Sequence, residues 1–327
     1  MPGGSDSTGD RHAPDAPVTT RQVDEDGVVG LFASPPGTGP FPAVVAFGGS
    51  GGGLGPTVGW APALAASGFA VLAVAYFAAP GLPDGLIEIE VEVVERAVSW
   101  LRRQRVVDES AVGVMGQSRG SELALLASVL VDGVGPVVAF APSGISWSGI
   151  SGAGPVDAPA WTFRGEPIPY VRPVVSPELL RPPAPDEPPL SLRPSFEAAL
   201  ADPALWQDAE IAVERAKGSI LLVSGEDDAM WPSTTMATMI ERRAADHGFE
   251  HQVVHLHYPD AGHTSAGVPG FPAETEVRHP LTGGHLAFGG TAAGNAAARE
   301  HSWPRVVSFL GDALTRTDGV TATRTDR

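Results

Sequence analysis

Gly116-Gln117-Ser118-Arg119-Gly120 follows the apolar run Ala111-Val112-Gly113-Val114-Met115 and precedes Ser121-Glu122-Leu123-Ala124-Leu125-Leu126-Ala127. The order reads as strand, sharp turn, helix. In that setting G-x-S-x-G is the pattern of a nucleophile elbow. A turn this tight brings neighbouring backbone against both flanking glycines, where a Cβ would clash. It lifts the Ser118 hydroxyl above the sheet edge. It also aims the Arg119 backbone N–H, at the start of the helix, toward a developing oxyanion. Five residues alone would equally suit a plain glycine-flanked βα turn. The strand and helix on either side favour a catalytic serine.

Upstream, Pro42-Ala43-Val44-Val45-Ala46-Phe47 is a compact apolar run of the buried-strand type. It ends in Gly48-Gly49-Ser50-Gly51-Gly52-Gly53. Such a run lets backbone N–H groups approach a ligand, as a phosphate cradle or as an oxyanion loop. A Walker-type cradle would close with Lys-Ser or Lys-Thr. This run continues Leu54-Gly55-Pro56 instead, so the oxyanion loop is the better reading, with Gly49 and Ser50 as donors beside Arg119. Gly48, Gly51 and Gln117 are expected to border the substrate.

Further along, Thr19 to Ala33 suits a strand pair, Pro62 to Ser67 a short helix, and Ala70 to Ala75 a buried strand. Leu86 to Arg105 has apolar residues near helical spacing, with acidic residues early and Arg late. Val137 to Phe140, Ser219 to Ser224 and Val253 to Tyr258 read as strands; Ser233 to His247 and Asn295 to Leu314 read as helices. The alternation predicts a doubly wound, mostly parallel sheet of the α/β class. Ser143 to about Asp208 breaks the rhythm with clusters such as Arg181-Pro182-Pro183-Ala184-Pro185 and Glu187-Pro188-Pro189, which exclude a central strand or long helix. Its aromatics, Trp161 among them, suggest a lid over the site; a structural wrap is the alternative. Residues 1–17 and 318–327 have the composition of flexible tails around one domain spanning 18–317.

Composition narrows the function. There are 21 basic against 38 acidic residues, a net charge of −17. That argues against nucleic acid or an anionic membrane as partner, and is unfriendly to an acidic carrier protein. The chain has no Cys, which excludes disulfides, thiolate metal sites and a thiol nucleophile. The longest apolar stretch, Phe69 to Ala79, is too short to span a bilayer, and the polar N-terminus lacks a signal core. A soluble, cytoplasmic protein without cofactor is expected.

A serine hydroxyl needs a base, and the base needs a partner that fixes its tautomer. In an elbow fold the order is Ser, acid, His. Ser118, Asp228 and His263 follow that order, each just after a strand. Asp227 competes with Asp228; the spacing to Pro232 favours Asp228. Among nine histidines, His263 alone follows a strand and a glycine-containing turn. His279 and His285 lie in a Gly/Pro-rich loop that could line the site. The His255/His257 pair lacks a third ligand at clear spacing, so no metal site is expected.

On these stretches the sequence resembles the catalytic domain of the acyl-CoA thioesterase and bile-acid-CoA:amino-acid N-acyltransferase family. The resemblance rests on Pro42 to Gly53, Gly68 to Phe77, the elbow, Gly225-Glu226-Asp227-Asp228-Ala229-Met230-Trp231-Pro232-Ser233, Tyr258 to His263 and Phe288 to Trp303. It implies an α/β-hydrolase fold of dienelactone-hydrolase type, a triad of Ser118, Asp228 and His263, and attack on an acyl thioester carried by coenzyme A or a carrier. Trp161 and Trp231 are expected to contact the acyl group. Members typically carry an N-terminal β-sandwich, and only about 35 residues precede the first core strand here, so that domain is expected to be missing. The amidating branch uses Cys where this chain has Ser118, which leans toward hydrolysis. A carboxylesterase or lactonase would use the same machinery on oxygen esters, and a non-catalytic binding protein is the third reading.

Overall fold

Runs such as Ala70–Ala75 and Ile220–Gly225 are apolar on both faces, which suits strands covered by helices on either side. In the computed structural model, which describes residues 17–175 and 187–315, both strands are paired on either side within the sheet. The strands are β1 (Thr19–Glu25), β2 (Val28–Ser34), β3 (Phe41–Phe47), β4 (Ala70–Ala75), β5 (Val107–Gln117), β6 (Val134–Phe140), β7 (Ile220–Gly225) and β8 (Val253–Tyr258). Among the described residues they form one eight-stranded sheet in the order β1-β2-β4-β3-β5-β6-β7-β8. The pairs from β4 through β8 are parallel, and β1 and β2 add an antiparallel edge. Asp26 and Gly27 join that edge hairpin, both with positive φ (56° and 71°), as a two-residue primed turn requires.

Helices α1 (Thr57–Ala66), α2 (Glu92–Arg102), α3 (Arg119–Leu130), α4 (Ser233–Asp246) and α5 (Ala292–Thr315) cover both faces. Val45 and Leu72 point into one core layer with α2, α3 and α4. Val44 and Val71 point into the other, with α1 and α5. The period-two alternation of strand side chains thus feeds two separate cores from one run of valines and alanines. The order and the two layers are those of an α/β-hydrolase fold.

Three sequence expectations need revision. The first helix starts at Thr57, not at Pro62, and carries Pro62 inside it. The second is shorter than Leu86 to Arg105: Ile89–Glu90 pairs as a short parallel strand with Trp161–Thr162, and Leu86 bridges Ile150. Those apolar residues serve the segment between β6 and β7 rather than a helix face. That segment is also built from more regular pieces than its prolines suggested. A hairpin, Ser148–Ser151 with Gly154–Pro159, is followed by Trp161–Phe163 and then by a helix, Arg193–Leu200. The Arg181-Pro185 cluster and the two tails lie outside the described residues, apart from Pro17. Among the described residues no helix is long and apolar enough to cross a membrane.

Candidate active site

β5, β7 and β8 end at the same edge of the sheet, and Ser118, Asp228 and His263 follow them. Ligand sites in parallel sheets gather at this edge because successive loops converge there. Ser118 has φ +56° and ψ −124°, a conformation that a non-glycine residue adopts only where its surroundings enforce it. Those surroundings are backbone. A Cβ on Gly116 would run into the Gly120 carbonyl, and a Cβ on Gly120 into the Gly48 carbonyl. The Ser118 N–H donates to Phe140 O at 2.9 Å, tying the turn to β6.

Asp228 is fully buried. Its Oδ1 accepts from the N–H groups of Met230 (2.9 Å) and Trp231 (3.2 Å). His263 Nδ1 lies 2.9 Å from Asp228 Oδ2 and 3.1 Å from Oδ1. The competing Asp227 is exposed. The His263 ring stacks on Phe288 and meets Trp231 edge-on, which fixes its plane. Gln117 does not border the cavity as expected; its Nε2 donates to the His263 carbonyl at 3.1 Å and so ties the elbow to the His263 loop. Among the described residues the Ser118 hydroxyl has no hydrogen bond to His263. Unliganded triads commonly have this contact loose, and it tightens with substrate in place.

The glycine loop folds over the elbow. A Cβ built on Gly49 would stand 3.1 Å from Ser118 Cβ. Gly48 and Gly51 do not reach the cavity wall: the Gly48 carbonyl accepts from Tyr76 Oη at 2.6 Å, and Gly51 packs on Pro280. Burial raises the Tyr76 phenol well above its ordinary range, so it stays protonated and donating. Ser50, Ser118 and Arg119 face a cavity of about 860 Å³. Trp147, Ile150, Leu190 and Phe196, all from the segment between β6 and β7, line its apolar side, with Met230 and with Trp231, whose ring meets Phe196 edge-on. His279 and His285 also line it, as their loop position suggested.

Trp161 is the clearest correction. It is completely buried, packs beside Tyr76, and donates its indole N–H to Glu122 Oε2 at 3.0 Å. It holds the wall from behind and does not form its surface. The reason is a buried ion pair that the sequence reading did not single out. Arg119 Nη1 lies 2.9 Å from Glu122 Oε1, one turn along α3, and Arg119 Nη2 donates to the carbonyls of Trp147 and Ser148. Glu122 Oε2 also accepts the Trp147 N–H at 3.3 Å. The elbow helix and the cavity wall are therefore joined through charged groups. Burial pushes the Glu122 carboxyl up to about 7, partly offset by Arg119.

Asn295 and Arg299 were also missed as site residues. Asn295 Oδ1 accepts the Gly262 N–H at 2.7 Å, and Arg299 Nε donates to Thr264 O at 2.8 Å, gripping the His263 loop from both sides. Their signal was present: polar side chains four apart share one face of a helix with the apolar Trp303, Val306 and Leu310. His255 bonds Ser224 and Glu241, and His257 bonds Glu226, away from this site.

Residues 191–316 match the family described as BAAT / Acyl-CoA thioester hydrolase C terminal. The chain is 30% identical over 305 residues to acyl-coenzyme A thioesterase 1 of Rattus norvegicus, covering 93% of this chain and 68% of that protein. It is 32% identical to acyl-coenzyme A amino acid N-acyltransferase 1 of Mus musculus, covering 90% and 65%. The chain belongs to the acyl-CoA thioesterase and amino-acid N-acyltransferase family. It spans 57% of the length of another such relative, the mitochondrial acyl-coenzyme A thioesterase 2 of Mus musculus. Among solved structures, a dienelactone hydrolase-like promiscuous phosphotriesterase from metagenomic libraries superimposes with a TM-score of 0.52 at 18% identity, covering 91% of this chain and all of that one. A dienelactone hydrolase of Klebsiella pneumoniae gives 0.54 at 12%, covering 90% and 99%. Both share the fold of the family's hydrolase domain.

Two measurements check how the wall is anchored. Trp161→Ala should lower unfolding stability by about 3–5 kcal/mol, as large buried truncations do, while leaving the ranking of acyl chain lengths unchanged. Urea unfolding and a chain-length series read the two effects separately. The raised Glu122 carboxyl sets a sign as well. The folded protein keeps a proton there that the unfolded chain releases at the ordinary carboxylate value, so this group's contribution to stability declines as pH rises from about 4.5 to about 7. The unfolding free energy of wild type minus that of Glu122→Gln should fall as pH rises over that interval. A constant difference would contradict the assignment.

Proposed function

We propose that this protein is a serine-dependent acyl-thioester hydrolase or acyltransferase that works through an acyl-enzyme on Ser118. The observation that carries the reading is the buried Asp228–His263 pair at the sheet edge that also bears an elbow serine, whose loop is tied to it through Gln117 and which faces a largely apolar cavity. Family membership supports a thioester as substrate. Ser118 Oγ attacks the acyl carbonyl while His263 Nε2 takes its proton. Asp228 holds Nδ1–H, and so the tautomer, and offsets the charge that His263 gains. The Arg119 N–H is the first of its helix and has no intrahelical acceptor; with the N–H groups of the Gly49/Ser50 turn it receives the oxyanion. His263 returns its proton to the departing thiol. It then activates water, or an amine or alcohol acceptor, to release the acyl group.

The cavity suits this chemistry. Its volume lies in the range of small-molecule sites, and its apolar side comes from the segment that the sequence marked as a lid. That segment, rather than the triad, sets the acyl group in this reading. Arg172 and Arg278 stand on the lining, where the phosphates of coenzyme A would find cationic partners on a protein whose net charge is otherwise −17.

A hydrolysis panel tests the reading. Acyl-CoA, acyl-pantetheine and p-nitrophenyl esters of several chain lengths are compared, with Ser118→Ala as the blank. Ser118→Ala should lose roughly 10⁴–10⁶ in kcat with an unchanged melting temperature. Asp228→Asn should lose about 10⁴, and Asp227→Asn almost nothing. Turnover by Ser118→Ala near the wild-type rate would refute the nucleophile, and equal losses at the two aspartates would refute the choice of acid. Preference for oxygen esters across all lengths would move the protein to the carboxylesterases.

A further inference from the structure

His279 belongs to none of the roles above, yet it is almost completely buried at the cavity. It opens a tight loop in which its own N–H donates to Gly284 O and its carbonyl accepts from the Gly283 N–H. The next residue, Pro280, packs on Gly51, so the loop tip leans against the glycine run beside the elbow. Two hydrogen bonds settle the tautomer. The Thr282 N–H donates to His279 Nδ1 at 3.3 Å, which makes Nδ1 an acceptor. The hydrogen of the neutral ring is then on Nε2, 2.9 Å from Ser50 Oγ. Burial, followed by the nearby His263, lowers the His279 pKa and keeps the ring neutral.

Ser50 Oγ is therefore the acceptor in that bond, and its own hydrogen is left to point elsewhere. Among the described residues Ser50 Oγ has no second hydrogen-bond partner, and it faces the cavity that Ser118 also faces. Its neighbour Gly49 packs directly on Ser118. We propose that the Ser50 hydroxyl is a side-chain donor to the oxyanion beside the backbone N–H groups of Arg119 and the Gly49/Ser50 turn, and that His279 is the positioning residue that aims it. A free serine hydroxyl rotates among several directions. One whose oxygen is already engaged by an N–H has fewer left, and such preorganisation is what makes a donor effective toward charge that appears only in the transition state.

The inference rests on Ser118 being the nucleophile, and the test keeps the two apart. Octanoyl-CoA and p-nitrophenyl octanoate are turned over by the full chain and by Ser118→Ala, Ser50→Ala, His279→Ala, His279→Gln and the Ser50→Ala/His279→Ala double variant. Ser50→Ala should lower kcat on the order of 10²-fold, with KM and melting temperature little changed, as loss of a donor used only in the transition state requires. His279→Ala should cost about as much. The double variant should cost no more than either alone, since both remove one interaction. His279→Gln, whose amide N–H reaches the position of Nε2, should recover much of the loss. If Ser118→Ala is inactive while Ser50→Ala keeps full kcat, the hydroxyl is not a donor and the His279 contact merely ties the loop down. Additive losses in the double variant would overturn the coupling. If His279→Ala does not fold, Ser50→Ala and His279→Gln decide the matter. Activity in Ser118→Ala would instead refute the underlying reading.

Discussion

Backbone packed against backbone at the elbow is the constraint on which the rest depends. Ser118 is held at positive φ because Gly116, Gly120 and the Gly48 carbonyl leave no room for another course of the chain. No Cβ fits at either glycine, so the turn is specified by what is missing. The strain on Ser118 is held by neighbours on β3 and β6, which are themselves deep in the sheet. A hydroxyl placed this way does not depend on flexible side chains for its direction.

The second requirement is that the parts around the hydroxyl share that rigidity. Each is fastened through polar groups taken out of water. Asp228 is gripped by two backbone N–H groups, the His263 loop by Asn295 and Arg299, and the cavity wall by Arg119 and Glu122. Burying such groups is costly unless their partners are in place, so each pair favours one arrangement over loose alternatives. The Arg119–Glu122 contact has a further consequence. Arg119, which follows Ser118 and opens α3, anchors the cavity wall through its side chain. The elbow and the cavity wall thus share a mechanical link at one residue of α3.

The readability of the sequence follows the range of the interactions. The elbow and the glycine loop were legible because a backbone without room for Cβ leaves a local record. The contact of Asp228 with His263 was legible because parallel topology brings strand ends together, and burial then separates Asp228 from the exposed Asp227. Leu86 to Val91 misled because their apolar spacing suits a helix, while their real partners, Ile150 and the Trp161 strand, lie far along the chain. Trp161 misled for the same reason: an aromatic in an inserted segment can face a cavity or a buried carboxylate, and only the position of Glu122 decides. The role of His279 depends on a loop more than two hundred residues from Ser50. Long-range polar pairing of that kind leaves no periodicity to read.

Covalent labelling tests most directly whether Ser118 is the nucleophile of a hydrolytic site. The protein would be treated with a fluorophosphonate, which phosphonylates activated serines, and the adduct mapped by peptide mass spectrometry while octanoyl-CoA hydrolysis is followed. A single adduct on Ser118, with loss of activity in proportion to labelling, is expected if Ser118 is the nucleophile. An adduct on another residue, or hydrolysis that survives complete labelling of Ser118, would contradict it.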